Sequence, residues 1–468
     1  MEAIVTEIIE ILKSNSDIIE REKQLHAYVG QVACQLITTA FRHIDDALWE
    51  EHRKEGARSK RRDARTLVTL YGEVTVPRRL VQTADGRNLY PLDQFLGVAP
   101  RSRLSPLLQY IVANVASKTV YRTTAYAVNM LSNATISHTQ VGTVLRQVGT
   151  IYRKKEQADA KKLVGPEADL KRPEVLRIEG DAVAVKGLDG KTMELHRFQV
   201  AEGVEKHGKR SSLLGVHCVA SQDYKAAEEM MRDYLSHTYD LSRTLVLSNS
   251  DGGPGYGKEV FDRILGVSGR HEHFRDRYHV NKKCKERLNF APRKLVDDVQ
   301  RAIWRQDEER LGTLLCTAES LAADTCQEEQ VTLLRAYLER NWSSLRPLAK
   351  RGIDLEHTGL GACESNHRVY SYRMKHQGKH WSKAGADAIA SVITGIRNGD
   401  FADAWKKGTS PVSSGNENRY KNAVRNALKK SKRFEHVAAK NGRILMDCPA
   451  SSAIGSLSRR IGNGGMLA

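Results

Sequence analysis

The reading of this chain turns on VLRIEGDAVAV, residues 175–185. Its branched and apolar residues suit a strand, and the Asp189-Gly190 turn separates it from TMELHRFQV, residues 192–200, so the pair predicts a hairpin. After a polar loop, SLLGVHCVA (212–220) supplies a third strand, Lys225 to Ser236 an amphipathic helix, and RTLVLSNSDGG (243–253) a fourth strand ending in a glycine-rich turn.

Three strands in a meander, then a helix and a strand, open a mixed α/β sheet of RNase H-like order. Asp181 stands in the middle of the first strand, where a buried carboxylate is costly unless it is paired, hydrogen-bonded or bound to a cation. Asp251 ends the fourth strand, at the carboxyl edge where open α/β sheets present functional groups. A third acid, Glu364, precedes a segment carrying Arg368, Arg373, Lys375, His376, Lys379, His380 and Lys383, all suited to phosphate. Taken singly, each acid is explained as readily by a cap, a turn or a solvated face. Brought together, the three would repel one another, and a hard divalent cation resolves that repulsion. Two Mg²⁺ or Mn²⁺ ions about 3.5–4 Å apart are the arrangement for in-line phosphodiester chemistry.

The rest of the chain agrees with a polyanionic partner. Across 468 residues, 74 Lys and Arg face 56 Asp and Glu, leaving 74 − 56 = +18. The N-terminus intersperses charges among its Ile residues, unlike an export signal, and no stretch approaches the roughly 20 apolar residues of a membrane helix. Seven scattered Cys without a CxxC pair argue against a disulfide framework or thiolate zinc site. The expectation is a soluble, cytoplasmic protein.

Residues 1–65 read as a helical leader with a basic linker, His52 to Arg65. Residues 66–165 contain a small strand pair, TLVTLYGEVTVPRRLVQ, and two helices spaced as a helix-turn-helix. Ser137, His138, Thr139 and Gln140 open the second of these, where base contacts are usually made. The catalytic sheet occupies 172–280 and resumes at 350–405, interrupted over 281–349 by an all-helical insertion, and 406–468 forms a basic appendage.

Three other motifs compete. Gly252 to Glu259 nearly forms a phosphate loop, but Glu259 replaces the hydroxyl that holds Mg²⁺ and Pro254 removes a backbone donor, so no nucleotide is expected. His271, His273, His279 and Cys284 lack the regular pairing of a zinc site. Asp276 and His279 could share a helix face, and Trp381 could stack on a base or anchor the helix after it.

In order along the chain, TLYGEVTVPRRL, YPLDQFLGV, ISHTQVGTVLRQVG, IEGDAVAV, SDGG, DRYH and the Glu364 segment ending YRMKHQGKHWSKAGADAIA resemble bacterial insertion-sequence transposases of the ISLre-two group, more distantly Mutator-like DDE transposases. The resemblance implies an RNase H-like catalytic domain with Asp181, Asp251 and Glu364 as metal-binding acids, and Asp276 and His279 as catalytic support. It matches Arg373, Trp381 and Ser382 to the signature after the third acid. Ala182 stands where the family often has another acid, and SNSDGG replaces a GDGA-like form. The implied function is a DNA transposase that cuts at the ends of its element, joins a 3′-hydroxyl to target DNA and works as a homo-oligomer in the bacterial nucleoid. Ser137, Thr139, Gln140, Arg373, Lys375, Lys379, Trp381 and Lys383 are the expected DNA contacts. A DNA-binding protein that no longer cuts, and a nucleic-acid-stimulated NTPase using Gly252 to Lys258, are the alternatives.

Overall fold

A computed structural model describes residues 2–14, 17–160, 169–208, 210–253, 255–355, 359–376, 378–409 and 418–429. The chain divides into one compact unit of residues 1–148 with 402–468 and a second of residues 149–401. The first unit opens with helices α1 (Glu2–Ser14) and α2 (Ile18–Lys54), and the carboxylate of Asp17 caps α2 by accepting the Ile19 amide. The basic run 52–65, expected to be a solvated linker, is instead the end of α2 followed by strand β1 (Arg58–Thr69), paired antiparallel with β2 (Gly72–Gln82). Leu67 and Val68 at the far end of β1 are buried, and Arg65 is held by Asp93 at 2.6 Å and by the carbonyls of Ala99 and Ser102. Backbone pairing, with a bulge at Lys60, therefore tolerates the exposed basic residues Arg58, Lys60 and Arg62, the last paired with Asp46. Strand β3 (Asn88–Leu89) completes this sheet, and helices α3 (Pro91–Phe95), α4 (Pro106–Ala116), α5 (Tyr121–Leu131) and α6 (His138–Ala160) follow.

The second unit carries β4 (Val175–Lys186), β5 (Thr192–Ala201), β6 (Gly203–His207), β7 (Arg210–Leu214), β8 (His217–Ser221), α7 (Tyr224–Thr238), β9 (Leu245–Ser250), α8 (Lys258–Leu265) and β10 (Arg270–Arg275). Five of these strands form a mixed sheet in the order β10-β9-β4-β5-β8. The pairs β4–β5 and β5–β8 are antiparallel, whereas β4–β9 and β9–β10 are parallel. The expected third strand, 212–220, is broken at Gly215 (φ +59°): β7 pairs with β6 in a separate hairpin and only β8 joins the main sheet.

Strand alternation sorts the side chains of this sheet onto two faces. Leu176, Ile178, Phe198, Val200 and Val246 pack against Ala227, Met231 and Leu235 of α7 and Val260, Phe261 and Ile264 of α8, a dry core. The opposite face carries the polar residues Arg177, Glu179, Asp181, Arg197 and Gln199, and beside them Leu247 and Phe274 pack against Ile353. After β10 come helices α9 (Arg277–Arg287), α10 (Arg293–Arg305), α11 (Glu308–Ser320) and α12 (Thr325–Asn341), which share a core of their own built on Val280, Val299, Ile303, Leu315 and Leu334. Helices α13 (Ala362–Met374) and α14 (Lys383–Asn398) return to the polar face of the sheet, α13 along β4 and α14 along β8, and α15 (Phe401–Thr409) follows.

Helical residues 418–429 bury Tyr420, Ala423 and Ala427 against Ala47 and Leu48 of α2. That part of the expected appendage thus belongs to a core, and the remainder from 430 lies outside the described residues. Among the described residues no helix is long and apolar enough to cross a membrane.

Glu156 on α6 gives a test of this packing. Burial pushes its carboxyl up to about 7 from an ordinary 4.5, against the opposing pull of Arg153. Because the unfolded chain releases that proton first, stability falls as pH rises from the unfolded pKa through the folded one. Thermal melts of Glu156→Gln should therefore match the parent near about pH 4 and exceed it above about pH 7. An unchanged difference between the two across that range would contradict the buried acid.

Candidate functional site

On β4 the odd-numbered positions Arg177, Glu179 and Asp181 turn away from the apolar core. The parallel pairing of β4 with β9 runs at a constant offset, 245 − 175 = 70 through 249 − 179 = 70. The pairing ends at Glu179 and Asn249, two residues before Asp181 on β4, and Asp251 follows directly on the last residue of β9, at the start of the glycine turn. Asp181 Oδ1 accepts the Ala182 amide at 2.7 Å and Asp251 Oδ1 the Gly253 amide at 2.8 Å. The turn after Asp251 requires glycine at 252: its φ is +80°, and a Cβ there would fall inside the guanidinium of Arg275. Arg275 is held in turn by Asn341 at the end of α12, its Nε donating to Asn341 Oδ1 at 2.7 Å.

A second layer of polar groups fixes this arrangement. Glu179 is buried, and its Oε1 accepts the backbone amide of Gly361 at 2.5 Å and the side-chain amide of Asn249 at 3.0 Å. Asn249 Nδ2 also reaches Asp276 Oδ2 at 3.3 Å. Asp276 Oδ1 accepts the His279 amide at 3.0 Å and so caps α9. Gly361 is the N-cap of α13, the helix that holds Glu364 in its first turn. One buried glutamate thus joins β4, β9 and α13, and through Asn249 the start of α9.

Directly opposite Asp181 in the antiparallel register is Arg197, fully buried, with its guanidinium 4.4 Å from the Tyr370 ring centroid. Its charge lies beside the carboxylates in a region of low dielectric, where it opposes their mutual repulsion. His367 Nδ1 lies 3.5 Å from Asp181 Oδ2. Burial, reinforced by Arg197, pushes this imidazole down to about 2, so the contact is a neutral ring facing a carboxylate rather than an ion pair. Asn366 donates to Gln199 on β5 at 2.8 Å, fastening α13 across the sheet. Lys283 lies on the Asp251 side, its Nζ 4.1 Å from the Tyr337 ring centroid, and burial lowers its pKa.

Of the residues singled out in the sequence, Asp181 lies on β4 and Asp251 immediately after the end of β9, the strand paired with it. The backbone of Glu364 lies three residues before His367 on α13, and its side chain is outside the described residues. Among the described residues no group of three His, Cys, Asp or Glu is arranged to hold a metal ion. Asp276 and His279 are joined through the helix cap.

Ser137 and Gln140 form a capping box at the start of α6, Ser137 N donating to Gln140 Oε1 at 2.8 Å and Gln140 N to Ser137 Oγ at 3.2 Å. The sequence motif at this turn is thus explained by helix initiation, and Thr139 is exposed beside it. Arg373 and Trp381, expected on a DNA surface, are buried against each other at 5.0 Å, and the Trp381 indole donates to the Met374 carbonyl at 2.9 Å. An indole enclosed in this way anchors α14 and cannot stack on a base. Lys375 and Lys383 are exposed, and Lys379 donates to the Tyr372 carbonyl at 2.9 Å.

The competing motifs disperse. Lys258 Nζ is bound to Asp262 one turn on, at 2.8 Å, and Tyr256 is buried in the core, so 252–258 does not form an open phosphate cradle. His271 and His273 both bond Ser248 Oγ, at 2.7 and 2.8 Å, whereas Cys284 is buried in the helical core. Sequence reasoning missed Glu179, Arg197 and His367. The signal for Glu179 was its spacing of two from Asp181 on a strand; nothing local distinguished Arg197 or His367.

The profile of an uncharacterised protein family, UPF0236, matches residues 12–408. A protein of Streptococcus gallolyticus described as "UPF0236 protein in vanSb 3'region" is 30% identical over 460 residues, covering 98% of this chain and 100% of that one. The chain belongs to the UPF0236 family. The match to this family spans the whole sheet and the helices that follow it.

Gly180, between Glu179 and Asp181, faces the core, and a Cβ there would lie 2.7 Å from Phe198 and 2.9 Å from Tyr256. Gly180→Val should lower stability by about 1–3 kcal/mol through overpacking. A urea midpoint equal to that of the parent would show that β4 is not seated as described.

Proposed function

We propose that this UPF0236 chain is a DDE-type DNA transposase whose catalytic sheet is RNase H-like and interrupted by the helical segment α9–α12. The strand order β8-β5-β4-β9-β10, antiparallel through β4 and parallel beyond it, supports that fold. The observation that supports the function is the parallel pairing of β4 with β9, whose 70-residue offset extended past the end of β9 would bring Asp251 toward Asp181, together with the backbone of Glu364 in the first turn of α13, the helix that packs along β4.

The donor set suits a hard cation: Asp181, Asp251 and Glu364 all offer carboxylate oxygens, within a protein of net charge +18. Asp181, Asp251 and Glu364 would hold two Mg²⁺ or Mn²⁺ ions, which when bound activate the attacking water or 3′-hydroxyl and stabilise the leaving oxygen. The chain's own groups do the rest. Arg197 and neutral His367 hold Asp181 in place from the protein side, while Arg275 orders the turn that follows Asp251. Lys283 on one side and exposed Lys375 and Lys383 on the other supply positive charge for strand phosphates. Thr139 and the exposed Arg58 and Lys60 of β1 suit contacts to double-stranded transposon ends. Joining two ends to one target calls for a homo-oligomer working on the chromosome in the cytoplasm.

The test is a cleavage and joining assay on DNA carrying the element's ends. Asp181→Asn, Asp251→Asn and Glu364→Gln should each reduce Mg²⁺-dependent nicking more than about 10³-fold while DNA affinity is kept. Lys258→Ala should nick like the parent, because its ammonium is committed to Asp262. Binding without any Mg²⁺-dependent nicking by the parent would identify a scaffold that no longer cuts, and loss with Lys258→Ala alone would point to nucleotide hydrolysis.

A further inference from the structure

Between α9 and α10 lies a groove of about 420 Å³ that the acidic site does not use. Its walls bring Arg277, Asn281, Gln300, Arg301, Trp304 and Arg305 together, with Asp297 as the one acid. That volume falls in the range of about 300–1,000 Å³ typical of small-ligand pockets, enough for one nucleotide.

The charge of the groove is unbalanced. Asp297 is within 4.0 Å of Arg293, and Arg301 is paired with Asp298, but among the described residues neither Arg277 nor Arg305 forms an ion pair. Two guanidiniums are thus left for an external anion, and their planar forks suit phosphate oxygens.

The groove also contains a flat surface. Trp304 is oriented by its indole N–H, which donates to Asn281 Oδ1 at 2.9 Å, and the guanidinium of Arg277 lies 4.9 Å from its ring centroid. Gln300, held by the Asn281 carbonyl at 3.1 Å, adds a polar edge. A planar aromatic–guanidinium pair, Trp304 with Arg277, beside the second unpaired guanidinium of Arg305, matches the alternation of base and phosphate in a nucleic-acid strand better than the flexible carboxylates of an acidic peptide, which offer no planar ring.

We propose that this groove binds one nucleotide of the DNA strand next to the phosphate held at Asp181 and Asp251. The inference rests on the transposase reading for that second location. Helix α9 links the two places: Asp276, its cap, reaches Asn249 beside the carboxylates, and residues 277 and 281, one turn apart, wall the groove. The phosphate would be taken by Arg277 and Arg305, and the base would lie against the Trp304 edge of the recess.

The experiment measures binding of a fluorescein-labelled single-stranded DNA oligonucleotide to the full chain by anisotropy, without divalent metal, over a range of salt. Arg277 and Arg305 are exposed, so their removal leaves the fold intact; Arg310 on α11, also exposed, is the charge-matched control. The double variant Arg277→Ala, Arg305→Ala should bind about tenfold more weakly, and the slope of log affinity against log salt should fall by about 0.7 for each lost phosphate contact. Arg310→Ala should stay within about twofold of the parent. Arg305→Lys should recover part of the affinity, since charge returns without the fork. Equal losses for the double variant and Arg310→Ala overturn the groove, as does displacement of the oligonucleotide by dAMP alone at matched nucleotide concentration, which would mark a free-nucleotide site. Metal-free binding keeps the two readings apart. If the parent never nicks DNA but the arginine pattern holds, the groove stands and the catalytic reading falls; if nicking depends on the three acids but the pattern is absent, the reverse follows.

Discussion

The parallel pairing of β4 with β9 is the constraint on which the rest of the second unit depends. Because strand side chains alternate with a period of two and the offset is even, every odd position of β4 shares its face with an odd position of β9. A slip of one residue would send Asp251 into the apolar core of α7 and α8 and expose Val246. The hydrophobic face therefore locks the register, and the register sets Glu179 beside Asn249, two residues before each aspartate. Gly180 is part of the same lock, since the core side of β4 at that point has room for no side chain.

Burying acids has a cost, and the structure meets it with hydrogen bonds and cations. Glu179 accepts from two amides on separate elements, Asp276 is used as a helix cap and partner of Asn249, and Arg197 is drawn entirely out of solvent beside Asp181. Removing one member of such a network leaves its partners unsatisfied, which is worse than never having buried them. This explains why the site extends well beyond the two aspartates. The helical segment takes part as well: Asn341 at the end of α12 grips Arg275, which occupies the space that Gly252 leaves open beside Asp251. Helices α9–α12 have their own core, yet their last residue reaches the turn that carries an acid.

The sequence was most legible where periodicity and turn chemistry agreed. Strands β4 and β5 with their Asp-Gly turn, the amphipathic α7 and the apolar β9 were all read from alternation alone, and the cluster of Leu and Val from 288 to 338 announced helices. It was least legible where polar residues form regular structure. Strand β10, RHEHFR, carries hardly an apolar residue, and it holds its place by parallel backbone pairing to β9, by Ser248 between two imidazoles, and by Arg351 against Glu272. The run 58–65 misled for the same reason, its charges masking an edge strand. For Trp381 the neighbouring cations left base stacking and anchoring of the next helix both open, and the structure takes the second: its single N–H is spent on a carbonyl inside the fold.

What the sequence alone determined is the apolar elements, β4, β5, α7, β9 and the helices after β10, and the choice of Asp181 and Asp251 as candidates, because both are properties of local pattern: a carboxylate amid branched apolar residues, and another at a strand's end before paired glycines. Only the tertiary structure decided that β9 runs parallel beside β4, that Arg197 and His367 lie beside Asp181, and that Asn249 joins Glu179. Those partners come from residues far apart in the chain, brought together by strand register and by α13 crossing β4. Hydrogen bonds between such distant groups depend on three-dimensional distance, and no spacing along a sequence encodes it.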